Sequence, residues 1–222
     1  MKAIVTCAGF LSSVQDLGRT DFRRFGVSTS GALDSFALRV ANLLVGNDED
    51  AAGLEITLGG VQLRFEVERI VAWCGGEFDV QIGSRALPAG HVAHLHSGEE
   101  LKFGRAQIGC RCWLAISGGI DVPVVLGSRS TDLRANFGGL EGRTLRDGDQ
   151  LSLGEFRQSE TAAAAGISSW TAPHDWASRV SLHPGLRFIR GVDWNRFNDS
   201  RFTSLGSHRI QIAWVYALMV PN

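Results

Sequence analysis

Apolar positions along the chain follow two periods, and the helical one is confined to a single stretch. Leu33, Phe36, Ala37, Val40, Ala41 and Leu44 recur at three- and four-residue spacings, the stripe that one face of an α-helix buries. Ser30 offers a start, because its hydroxyl can accept from a free amide, and Gly46 with Asn47 offers a stop. Elsewhere the period is two. Val61, Leu63, Phe65 and Val67 alternate with polar residues, as do Cys110, Cys112, Leu114 and Ile116, and alternation places each set on one face of a strand. The runs 70–74 and 78–82 are bounded by glycines and read as further strands. Turn signals recur at Gly59-Gly60, Gly75-Gly76, Gly118-Gly119, Gly138-Gly139 and Asp147-Gly148-Asp149. These elements predict a mainly β barrel or sandwich with one substantial helix.

The pattern breaks between 159 and 177, where Thr161, four alanines and Gly166 lead into Ser168, Ser169, Trp170, Thr171, Ala172 and Pro173. Small residues without a period read as a linker or a loosely packed surface segment. Strand-like sequence returns at Leu186, Arg187, Phe188 and Ile189. The domain reading is a β lobe over 1–158, a linker over 159–182, and the start of a second, incomplete β lobe over 183–222.

Composition narrows the chemistry. The chain has 222 residues, 44% hydrophobic and 20% charged, with a net charge of −1. That is globular, and it carries no excess positive charge to hold a phosphate backbone or an anionic membrane, so neither nucleic acid nor membrane is expected as a partner. Lys2 and Lys102 are the only lysines. Neither lies in a phosphate-cradling glycine loop, and the same shortage speaks against Schiff-base catalysis, a Ser-Lys amidase dyad and a biotin-bearing lysine. Cys7, Cys74, Cys110 and Cys112 form no disulfide framework and no paired metal spacing, so all four are expected to be buried structural thiols. The N-terminal apolar run is too short for a signal peptide, and 210–220 is too short to span a bilayer. The expected location is the cytoplasm.

Four clusters could carry chemistry. Ser13, Gln15, Asp16, Gly18 and Arg19 put an amide, a carboxylate and a guanidinium side by side. Arg19 could grip a carboxylate or carbonyl through parallel hydrogen bonds, and Asp16 could orient it or act as a base; an ordinary Asp-Arg turn is the alternative. Ser28, Thr29, Ser30, Gly31 and Asp34 stand at the helix entrance, where free amides favour an anion or are simply capped. Ser128, Arg129, Ser130 and Thr131 repeat the hydroxyl-rich theme after a glycine. Glu55 is the one acid in an apolar run, either at a solvated edge or buried with a raised pKa. His91, His94 and His96 suggest a metal, but strand alternation sets His91 on the opposite face, and no metal site is expected.

Taken in order, residues 14–19, 26–27 with 30–34, 41–47, 54–57, 118–120, 126–131 and 142–143 resemble one family. It is the biotin-dependent carboxyltransferase-like group that includes the C subunit of 5-oxoprolinase, the so-called allophanate hydrolase subunit 2, and the C-lobe of the urea carboxylase carboxyltransferase domain. The resemblance covers roughly residues 3–154. It implies a cyclophilin-like β-barrel in two lobes that works with partners resembling the B and A subunits of that enzyme. It implies ATP-dependent opening of the 5-oxoproline lactam to glutamate, ATP being used by the assembly. The alternatives it implies are carboxylation of urea or a similar amide from carboxybiotin on a separate carrier, or a non-catalytic module that binds and antagonises a kinase inhibitor resembling the B subunit. On this resemblance Asp16, Arg19 and Asp34 are the catalytic candidates, and Gln15, Ser30, Glu55, Ser128, Ser130 and Thr131 bind substrate. Ser207 to Gln211 only faintly resembles the Ser-x-Arg-x-Gly element of the second lobe, so the chain reads as C-terminally truncated. The enzymatic reading requires the Arg19 cluster and the hydroxyl cluster to meet in one concave pocket.

Overall fold

The computed structural model describes residues 1–155 and 166–178. The chain divides into two units, Met1–Val180 and Ser181–Asn222; the second, with the strand-like sequence at 186–189 and the divergent end, lies outside the described residues. In order the elements are β1 (Lys2–Ala8), β2 (Leu11–Gln15), a 3-10 turn (Arg23–Phe25), α1 (Ser35–Leu44), β3 (Gly53–Thr57), β4 (Val61–Phe65), β5 (Arg69–Ile82), β6 (Arg85–Ala86), β7 (His91–Leu95), β8 (Glu100–Ile116), β9 (Gln150–Ser152), β10 (Ile167–Thr171) and α2 (His174–Ala177). The fold is mainly β, and every pairing among the described strands is antiparallel.

The long strands β5 and β8 form the spine. β8 carries β5 along one side; on its other side its first half pairs with β4 and its second half with β3, which in turn carries β2. One sheet face packs the main core, including Leu54, Ile56, Leu63, Phe65, Trp73, Leu114 and Ile116. The other face of the same strands presents Ala72, Cys74, Trp113 and Ala115 to α1, whose Ala37, Leu38 and Ala41 cover them. Burial on both faces explains why 70–74 is continuously apolar instead of alternating.

Asp34, not Ser30, starts α1: its carboxylate accepts from Ala37 N at 3.0 Å. Ser30 sits at φ 50 in the preceding loop. With the start moved, Leu33 and Phe36 are exposed and Leu38 joins the buried stripe. The helix lies close enough to β3 that a Cβ on Gly53 would stand 3.0 Å from Leu38 Cδ1 and 2.6 Å from Leu114 O, so only glycine fits there.

Two further readings change. Cys74 and Cys112 are buried, but Cys7 is only partly so and Cys110 is exposed, all four being free thiols. The β5/β8 register shifts between Gly75 and Glu77, and Gly109 takes φ 77. Such an irregularity breaks the alternation that would carry the face of Cys112 back to Cys110. Within the stretch that reads as a linker, residues 166–178 lie on the sheet: β10 pairs with β7, and Ala172 and Ala177 join the cluster under α1. An added edge strand is held by backbone groups and needs no apolar period. No helix among the described residues is long and apolar enough to cross a membrane.

Candidate functional site

Two distant segments are tied into one knot at the end of β2. Asp16 accepts from Gly18 N and Ser128 Oγ, both at 2.7 Å, and also from Ser130 Oγ and Arg129 N. Its own amide donates to Ser130 Oγ at 2.9 Å. Thr131 donates through Oγ1 to Val14 O at 2.9 Å. Gln15 donates to Ser13 Oγ and Thr131 O, and its Oε1 accepts from Gly31 N at 3.1 Å. The Arg19 and hydroxyl clusters therefore meet, and Asp16, Ser128 and Arg129 form one wall of a cavity of about 290 Å³ beside Asp48, Asp50 and Asp121.

Arg19 itself does not face that cavity. It is 2% exposed; Nη2 donates to Ser130 O, Nε donates to Val125 O at 3.3 Å, and the guanidinium lies 4.7 Å from the Phe137 ring centroid. Gly138 closes the packing: at φ 70 a Cβ there would stand 2.2 Å from Ser130 O and 2.9 Å from Arg19 Nη2. The guanidinium clamps the knot through Nη2, Nε and its face, while Nη1 is buried with no hydrogen-bond partner among the described residues, so a ligand-binding Arg19 has that one group to offer. Asp16 is spent, its carboxylate oxygens engaged by four donors. Asp34 is a helix cap, and its carboxylate serves Ala37 N.

Glu55 is different. It projects from β3 on the face shared with Ser13 of β2 and Trp113 of β8, which stand opposite it in register. Oε2 accepts from Leu33 N at 2.8 Å and from Trp113 Nε1 at 3.1 Å, and Oε1 lies 3.3 Å from Arg111 Nε. Burial pushes the Glu55 carboxyl above its ordinary 4.5, more than the Leu33 amide, Arg111 and Trp113 draw it down. A carboxyl in this state can hold or give up a proton nearer neutrality, as a general acid or base must. Gln15 holds Gly31 and Glu55 holds Leu33, so the 28–34 loop joins the knot to Glu55.

Arg111 and Trp113 escaped sequence reasoning as members of this site. Their alternation was visible, but the pairing of β8 with β3 that brings them to Glu55 is a long-range register with no local signal. Among the described residues no cluster of His, Cys, Asp or Glu could hold a metal. His94 and His96 lie with ring centroids 5.2 Å apart, their planes tilted by 49°, and face Glu68.

Comparison with known proteins gives a consistent set of relatives. Residues 25–213 match the profile of a family described as carboxyltransferase domain, subdomain A and B. The C subunit of 5-oxoprolinase from Escherichia coli K12 is 44% identical over 181 residues, covering 82% of this chain and 57% of that protein. Its Haemophilus influenzae counterpart is 41% identical over 140 residues, 63% of this chain and 45% of that one. Among solved structures, the Kluyveromyces lactis urea amidolyase aligns with a TM-score of 0.73 at 38% identity, over 82% of this chain and 11% of that one. The chain thus spans little more than half the length of the E. coli protein.

Proposed function

Since this chain belongs to the carboxyltransferase domain family, subdomains A and B, we propose that it acts as the C-type component of an ATP-dependent 5-oxoprolinase. The assembly opens the lactam of 5-oxoproline to glutamate, with partners resembling the B and A subunits of that enzyme, in the cytoplasm. The 44% identity to the E. coli C subunit carries this reading. Glu55 is the residue that exchanges a proton with the amide, while Gln15, Ser128, Ser130 and Thr131, together with Asp16 and Arg19, hold the 28–34 loop and Ser30 in place. Asp34 keeps α1 under that loop.

Nucleotide belongs on a partner. Lys2 donates to Gln150 on the sheet surface and Lys102 pairs with Glu100, and neither stands at a phosphate-cradling loop. The same two positions offer no attachment point for biotin. The urea amidolyase similarity supports a second reading, carboxylation of urea from carboxybiotin on a separate carrier. Mixing the purified chain with both partner proteins, ATP and 5-oxoproline tests the first reading: glutamate is released in step with ADP. Release of no glutamate, alongside carboxylation of urea by carboxybiotin, transfers the assignment to the second.

A further inference from the structure

Arg19 is 2% exposed, so an anionic group arriving from solvent needs a more open partner, and the sheet face beside Glu55 provides one. Thr57 and Arg111 stand directly opposite each other on β3 and β8, two residues along the strands from Glu55 and Trp113, and so on the same face. Thr57 is 8% exposed, and its hydroxyl oxygen is buried with no hydrogen-bond partner among the described residues. An unmet buried hydroxyl carries a desolvation cost that a ligand can relieve. Arg111 is partly open, with about a third of its side chain exposed. Its Nε pairs with Glu55 without the alignment of a hydrogen bond, and among the described residues its Nη1 makes only a 4.0 Å contact with Cys110 Sγ. One guanidinium edge is therefore available, next to an unused hydroxyl and within reach of the proton-holding carboxyl.

We propose that Arg111 and Thr57 form a carboxylate-binding subsite, which selects a substrate bearing a carboxylate beside its amide and sets that amide against Glu55. The inference rests on the lactamase reading above, and it deepens it by naming the substrate group that is recognised. A planar guanidinium presents paired N–H groups to a carboxylate, and the Thr57 hydroxyl donates a further hydrogen bond. A neutral amide such as urea gains nothing comparable.

Calorimetric titration of the full chain with 5-oxoproline and with 2-pyrrolidinone, the same lactam lacking the carboxylate, tests the subsite without requiring turnover. The wild-type chain binds 5-oxoproline about tenfold or more tightly, the scale of hydrogen bonds to a charged group. Arg111→Gln abolishes the preference, Thr57→Val reduces it severalfold, and Arg111→Lys keeps part of it. Each variant is first shown to melt cooperatively at a temperature near that of the wild type. Equal or undetectable binding of the two lactams by the wild type, or a preference that survives Arg111→Gln, overturns the subsite. An Arg111-dependent preference without glutamate release by the assembly leaves the subsite standing and refutes the proposed activity alone.

Discussion

Glu55 and Arg19 show how far a single residue's role can be read from its neighbours in sequence. Glu55 stood out as one acid among apolar residues, and its burial and raised pKa follow from that placement. Arg19 sat beside Asp16 with the right chemistry, but whether a guanidinium faces a ligand or a carbonyl depends on residues more than a hundred positions away. Arg111 had no local mark at all. The Glu55 carboxyl also makes a prediction about stability. Folded Glu55 binds its proton more tightly than the unfolded chain does, so its contribution is present below the ordinary carboxylate value of 4.5 and is lost as pH rises through the raised folded value. Melting temperature measured against pH should therefore show a decline for the wild type relative to Glu55→Gln across that window; parallel profiles would refute the assignment.

Among the elements, α1 was the most legible and also the most instructive in its error. Its apolar spacing located it, and Gly46 at φ 77 follows its end, but the cap moved from Ser30 to Asp34 because the 28–34 loop is held by Gln15 and Glu55. Tertiary hydrogen bonds chose among the available capping residues. Removing the cap with Asp34→Ala should cost about 1 kcal/mol. Leu38→Ala, which empties a fully buried position between helix and sheet, should cost ~2–5 kcal/mol. Chemical denaturation of both variants checks the order; an equal or reversed loss would mean that α1 is not seated on β5 and β8 as described. The strands were legible where they alternate. The forked pairing of β8 and the seating of β10 on β7 were not, since register is set by distant partners and edge pairing by backbone alone.

For the whole molecule, mainly β architecture followed from turn-punctuated short strands, while the site emerged only when β2, β3, β8 and the 126–131 turn converged. The chain spans 57% of its E. coli relative, and within the proposed assembly its own part is the proton exchange at Glu55 beneath the 28–34 loop. The most direct measurement is the turnover number for glutamate release by the reconstituted assembly with wild-type chain and with Glu55→Gln. The account predicts a loss of about a hundredfold or more in kcat, the scale of general acid–base catalysis, at unchanged assembly and ATP affinity. Turnover equal to wild type would contradict it.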